Sequence, residues 1–430
     1  MGQAAQSTTL SGYVHIPFCQ VRCTYCDFNT YAGLEPLFQP YVEALIAEIH
    51  WLAARFSGPL NTVYLGGGTP TRLPAGMLER ILTACQQTFG IRPEAEVSCE
   101  ANPGTLSAAG LAALRRAGFN RLSLGAQSFN PGELTMLGRI HSAGQVGLTV
   151  EQARAAGFDN LSLDLIYGLP GQTSMGWETS LEQALALAPQ HLSLYCLGLE
   201  PGTRLAYQVA RGELPTPDAD LAADMYELAG EQLGAAGYAQ YEISNWCRPG
   251  YECAHNLVYW RNLPYLGMGA GAHSSVGERR WWNVYTVPDY VARMRAAGAG
   301  STAPWVDSEG LLLSSIPFVS GSKSTNGKSK TLAAQGTGAA WPSPAVQDGE
   351  VLDPAMQMGE TMMLGLRLTA EGVAERDFQE RFGVSLGEVY GEAIGELARL
   401  GLVSWEAGRV QLTERGRLLG NQVFLRFLPG

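Results

Sequence analysis

Along the first two hundred residues, short apolar runs rich in β-branched and aromatic side chains alternate with longer stretches in which apolar positions recur every three or four residues. Six runs have the strand pattern, at 13–18, 62–65, 95–99, 121–125, 160–166 and 191–197. Between them, 41–56, 77–89, 111–117, 146–156 and 177–187 carry the helical period. Gly90, Gly118 and Gly157 follow three of these helices, where a helix-ending left-handed residue belongs. Strand and helix in strict alternation predict a parallel sheet with right-handed crossovers. Six units fall short of the eight of a closed barrel, so an α/β fold with an open, partial (β/α)6 barrel is expected.

The pattern changes twice after the barrel. Residues 314–348 turn into Ser, Gly, Lys, Thr, Ala and Pro without period, and Lys323, Lys328 and Lys330 are the only lysines among 29 basic residues. So few large apolar groups cannot offset the entropy of ordering a backbone, which predicts a flexible loop. Gly327-Lys328-Ser329 inside it lacks the strand and helix that frame a phosphate loop. Helical period returns at 356–366, 377–382 and 386–400, followed by two alternating runs at 402–405 and 409–412 and a last helical stretch at 414–424. Helices followed by a hairpin resemble a winged-helix arrangement. The expected organisation is therefore a barrel over 1–240, an extension over 241–312, a low-complexity insertion over 313–350 and a small C-terminal α+β domain over 351–430.

At 430 residues the chain exceeds what one core usually supports, in keeping with this division. A formal charge of −11 disfavours a general binder of nucleic acids or anionic membranes. From residue 351 onward eight arginines stand against eleven acids, so the C-terminal domain lacks the footprint of a duplex binder and suits a lid or a docking surface. The chain shows no run long enough to span a bilayer. Its start has neither basic segment nor apolar signal core, and eight cysteines suit a reducing compartment, so a cytoplasmic location is expected.

Three of those cysteines stand together. Cys19-Gln-Val-Arg-Cys23-Thr-Tyr-Cys26 follows the first strand, with a spacing that lets one loop ligate three irons of a cubane cluster. The fourth iron is then left to an exchangeable small molecule. Structural zinc normally closes its sphere with four protein ligands, and no second knuckle is present. Further polar and glycine residues fall at successive strand ends, where parallel barrels place their chemistry: Gly66-Gly67-Gly68-Thr69-Pro70, Glu100, Gln127 and Asp164, with Arg139 in the region between.

This arrangement resembles the radical S-adenosylmethionine (SAM) superfamily, and the resemblance implies a 4Fe-4S cluster on Cys19, Cys23 and Cys26 with SAM chelating the open iron. There, electron transfer to the sulfonium cleaves a C–S bond and yields a 5'-deoxyadenosyl radical. SAM contacts are implied for Tyr13, His15, Tyr25, Gly67, Gly68, Thr69, Glu100, Gln127, Arg139 and Asp164. Ser123-Leu-Gly125-Ala-Gln127-Ser-Phe129, Asp164-Leu-Ile-Tyr167-Gly168-Leu-Pro170-Gly-Gln172-Thr173 and Gly267-Met-Gly269-Ala-Gly271-Ala-His273-Ser274 are similar to its porphyrin-related branch. That branch holds an oxygen-independent coproporphyrinogen III oxidase, which decarboxylates by hydrogen abstraction, and a subfamily of heme chaperones.

Three features lean toward the chaperones. The oxidase pattern has a further cysteine where this chain has Phe28, and a longer segment before its first strand. His255-Asn256-Leu-Val-Tyr259-Trp260 reproduces a signature associated with heme binding, and its histidine and aromatics suit a large, partly polar macrocycle. The same residues also suit a turn cap and core filling. Cys247 and Cys253 beside them lack a fourth ligand and read as spare thiols, and the glycine-rich 267–271 signals close backbone packing rather than dinucleotide binding. The expectation is a protein that binds a cluster, SAM and heme and hands heme to an acceptor protein. Coproporphyrinogen oxidation is the alternative, and SAM-dependent modification of a nucleic acid is disfavoured by the acidic balance.

Overall fold

A computed structural model describes residues 10–298 and 341–429. Its centre is a twelve-stranded sheet. Six parallel strands, β1 (Leu10–Ile16), β2 (Leu60–Gly67), β3 (Ile91–Ala101), β4 (Arg121–Gln127), β5 (Leu161–Tyr167) and β6 (His191–Cys196), lie side by side in chain order. Their connections are α1 (Phe38–Ala53), α2 (Ala75–Thr88), α3 (Ala108–Ala117), a short α4 (Pro131–Met136), α5 (Ala143–Ala155) and α6 (Ser174–Ala186), all expected except α4. Both faces of the strands are covered, which is why they read as near-continuous apolar runs: β1, β4 and β5 are buried at almost every position.

The sheet is open and extends past both ends of the six strands. Beyond β6 come β8 (Asn245–Cys247) and β7 (Ala239–Glu242), both antiparallel. Beyond β1 come β9 (Tyr265–Met268), parallel to it, and then β10 (His273–Val276), β11 (Arg279–Asn283) and β12 (Val346–Val351). The last of these corrects the expected insertion over 313–350: Val346–Val351 is an edge strand registered against β11. Its alternation is short and interrupted by Asp348 and Gly349, so it carries no strand signal of its own. Gly349 has no room for a side chain, because a Cβ there would meet the Trp341 ring at 2.3 Å. The rest of the expected insertion, 313–340, lies outside the described residues.

The glycine-rich 267–271 segment is a packing device, as expected. A Cβ on Gly267 would fall 1.9 Å from the His273 carbonyl oxygen, and the Gly269 N–H donates to the buried carboxylate of Glu48 at 2.8 Å. Glu48 also accepts from Tyr290, Asn283 and Ser343, so a single acid ties α1 to this segment and to 341–345.

The C-terminal part has its own core of Met362, Leu366, Phe378, Ile394, Leu397, Val410, Val423 and Phe427 among others. Three helices, Pro354–Gly365, Glu375–Phe382 and Leu386–Arg399, precede a hairpin of Val403–Glu406 and Arg409–Leu412. The expected final helix is broken in two at Leu419. This domain docks on the sheet edge at β7. Thr369 donates from its N–H to Tyr241 O at 3.0 Å and from its hydroxyl to Gln240 O at 2.8 Å, while Arg367 pairs with the fully buried Glu242 at 3.2 Å.

Candidate functional site

The parallel strands end on one side of the sheet, and the loop that leaves β1 folds over those ends. It is pinned at Thr24, which donates its N–H to Leu137 O at 3.1 Å and its hydroxyl to Met136 O at 2.7 Å. Cys19, Cys23 and Cys26 are free, half-buried thiols that face one cavity of about 380 Å³. Each has a polar neighbour: the Thr69 hydroxyl donates to Cys19 at 3.8 Å, Arg139 donates to Cys23 at 3.4 Å, and Thr30 lies 3.8 Å from Cys26. Burial holds the Cys19 and Cys26 thiols above their usual range, and a coordinating iron would deprotonate them outright.

Tyr25, Gly67, Gly68, Thr69, Glu100, Gln127, Arg139 and Asp164 line the same cavity. Glu100 accepts from the Tyr64 hydroxyl at 2.8 Å and the Gly67 N–H at 3.0 Å, and burial, with Asp164 nearby, pushes its pKa up to about 7. Asp164 is also raised by burial and accepts from Ser123 at 3.1 Å. Arg139 donates to Asn102 and to Gly125 O, the latter at 2.7 Å. Gln127 closes β4 with a positive φ of 65°, a costly conformation for a residue with a Cβ. The N–H groups of Gly67, Gly68 and Thr69 are all spent inside the fold, on Glu100, Ile16 O and Phe18 O, so this segment can serve a ligand only through acceptors.

Two expected SAM contacts lie elsewhere. Tyr13 lines a second, deeper cavity of about 210 Å³, and His15 is buried beneath Gly67, where a Cβ would fall 2.3 Å from its ring. Strand residues short of the carboxyl end point into the layer under the mouth. The His15 nitrogens are taken by the Tyr13 hydroxyl at 2.9 Å and Asn29 O at 3.0 Å.

The deeper cavity also receives the His255 signature, on the short helix α7 (Ala254–Trp260). Glu96 accepts the N–H groups of Ala254 and His255 at 3.0 and 3.2 Å, which caps this helix. His255 is 1% exposed, with Nδ1 2.7 Å from the Thr62 hydroxyl and Nε2 3.0 Å from the Tyr259 hydroxyl. Its ring stacks on Tyr64 at 5.1 Å, and burial beside Arg121 pushes its pKa down to about 3. Both ring nitrogens are therefore committed. Trp260, at the other end of the helix, lies under the Arg367 guanidinium at 4.2 Å. Asn102, Ser123, Tyr195 and Cys196 also line the cluster-side cavity and were missed in the sequence. Asn102, Tyr195 and Cys196 sit at strand ends, the one signal that marks them, whereas Ser123 is the third residue of β4.

Residues 13–184 match the Radical SAM superfamily and 352–419 the HemN C-terminal domain. The heme chaperone HemW of Bacillus subtilis is 36% identical over 422 residues, spanning 97% of this chain and 99% of its own. The chain belongs to the HemW family. The Mycobacterium tuberculosis HemW is 45% identical over 68% of this chain and 75% of its own. Among solved structures, the HemN coproporphyrinogen III oxidase of Escherichia coli superposes with a TM-score of 0.77 at 24% identity, covering 98% of this chain and 90% of its own. That likeness shows the fold. Membership in a radical SAM family gives this HemW relative a 4Fe-4S cluster and SAM as its cofactors. The site fits them: three unpaired thiols with polar neighbours border a cavity that also holds two half-buried acids suited to a cationic ligand. Among the described residues no group of three or more His, Cys, Asp or Glu closes around a single metal ion, and no helix is long and apolar enough to cross a membrane.

Proposed function

We propose that this chain is a cytoplasmic heme chaperone that holds a 4Fe-4S cluster on Cys19, Cys23 and Cys26, binds SAM beside it, and passes heme to an acceptor protein. The observation that carries the reading is similarity along nearly the whole length to a protein named a heme chaperone. It is supported locally by Phe28, which is 62% exposed at the position where the oxidase pattern places a further cysteine.

When bound, the cluster supplies an electron and an open coordination position. The rest is the work of the chain. Glu100 and Asp164 offer negative charge to the cationic ends of SAM, and Tyr25 offers an aromatic face. Arg139 holds Cys23 and the Gly125 carbonyl in one orientation, with Asn102 as its brace. The barrel interior below is filled by Tyr13, Tyr64, Tyr259 and His255, which leaves about 210 Å³. That is below the roughly 300–1,000 Å³ of pockets for drug-sized ligands, whereas the cluster-side cavity of about 380 Å³ falls within that range. The test is anaerobic incubation of reconstituted protein with SAM, reductant and coproporphyrinogen III. No protoporphyrinogen IX is expected, and its formation at catalytic rates would establish the oxidase instead.

A further inference from the structure

A third cavity, of about 600 Å³, lies where the C-terminal domain meets the barrel. From the barrel it takes Tyr167, Tyr195 and Cys196 at the ends of β5 and β6; from the C-terminal domain it takes Arg367, Arg417 and Phe424. Tyr195 and Cys196 also line the cluster-side cavity, so the two spaces meet at the end of β6. Cys196 is exposed and free, and Tyr195 is 45% exposed although β6 is paired on both sides.

The chemistry of the walls is divided. One end presents a thiol and phenols. The other presents two guanidinium groups whose commitments differ: Arg367 pairs with Glu242, whereas the Arg417 guanidinium donates to the neutral amide of Gln240 at 3.0 Å. Among the described residues, Nε of each arginine is buried without a hydrogen-bond partner. A flat, largely apolar ligand bearing carboxylates at one edge and a metal at its centre matches this division. Its volume also suits the cleft better than the barrel interior, where His255 has both nitrogens engaged.

Resting on the chaperone reading, we propose that heme binds in this cleft, with Cys196 as an iron ligand and Arg417 and Arg367 receiving the propionates. Thiolate is an established heme ligand, and metal coordination deprotonates a thiol. The His255 signature then acts by position. His255 and Glu96 fix α7 to the barrel floor, and Trp260 at its far end supports the Arg367 guanidinium at 4.2 Å. Heme so placed would stand next to the cluster cavity, separated from it by Tyr195 and Cys196.

The test is titration of the full, cluster-reconstituted chain with heme and with heme dimethyl ester, followed by absorbance and by EPR of the ferric form. Loss of one charge-assisted contact in Arg417→Gln should weaken heme binding roughly tenfold to a hundredfold. The ester should bind wild type weakly and equally in Arg417→Gln, a comparison on the ligand side that needs no folded variant. Cys196→Ala should move the Soret band and remove the thiolate signature, while His255→Gln should leave both in place. Wild type that develops no Soret band would overturn the chaperone reading and the cleft together. Wild type that binds heme and its ester alike, or a thiolate signature surviving in Cys196→Ala, would overturn the cleft alone. So would an axial signature lost only in His255→Gln.

Discussion

Replacing Glu100 by glutamine isolates a cavity carboxyl whose pKa is pushed up to about 7. Glutamine retains an acceptor for the Gly67 N–H, and the Tyr64 hydroxyl can turn to accept from the new amide. SAM carries positive charge on its ammonium and sulfonium, so it favours the ionised carboxylate. With a pKa of about 7, the ionised fraction is about one-eleventh at pH 6 and about ten-elevenths at pH 8. Wild-type affinity for SAM should therefore rise about tenfold across that interval, or about 1.4 kcal/mol. Glu100→Gln should show no such rise. Anaerobic calorimetry at both pH values measures it, and the ionisation of SAM itself is common to the two proteins and cancels. Equal pH slopes in both would refute the reasoning.

The same group gives a ligand-free readout. An acid whose folded pKa lies above its unfolded value stabilises the fold fully below the unfolded value, and that stability is lost as pH rises through the folded one. Between 4.5 and about 7 the shift is worth at most ~3 kcal/mol, reduced by water in the cavity. Apoprotein should thus lose more stability between pH 5 and pH 8 in wild type than in Glu100→Gln.

Serine at Cys19, Cys23 or Cys26 should sharply lower iron and labile sulfide after anaerobic reconstitution, because an alcohol is a poorer iron ligand than thiolate; the buried Cys85 and Cys99 should be silent in the same assay. Arg139→Ala should weaken SAM binding by roughly 1.5–3 kcal/mol while the cluster still assembles, and unchanged affinity would remove this residue from the site. Gly67→Ala, at φ +109° with its Cβ placed 2.3 Å from the His15 ring, should cost about 1–2 kcal/mol in backbone strain and about 1–3 kcal/mol in overpacking, read by denaturant unfolding. An unperturbed midpoint would mean that His15 does not pack under this turn.

The barrel was legible because each of its strands is a short apolar run bounded by a well-formed helix, and because parallel strands place polar residues at one end only. Cys19, Cys23, Cys26 and the strand-end residues from Gly67 to Asp164 accordingly share one cavity. Tyr13 and His15 lie outside that cavity for the same geometrical reason, since they precede the strand end by one layer. β12 (Val346–Val351) was illegible because its alternation depends on β11 for register and on Trp341 for cover, neither of which is local. His255 was ambiguous in sequence for a chemical reason: a buried histidine with two hydrogen bonds and a metal-binding histidine have the same neighbours along the chain. Cys196 and Arg417 carry no motif at all. They meet only because the C-terminal domain docks on β7 through Arg367 and Thr369.

The central claim is that this chain carries heme as cargo on a radical SAM scaffold. Its most direct test is heme stoichiometry on the reconstituted full chain, by titration to a saturating Soret band with iron and sulfide measured in the same sample. One heme per chain beside an intact 4Fe-4S cluster is the predicted result. Absence of saturable heme binding in a protein whose cluster is complete would contradict it.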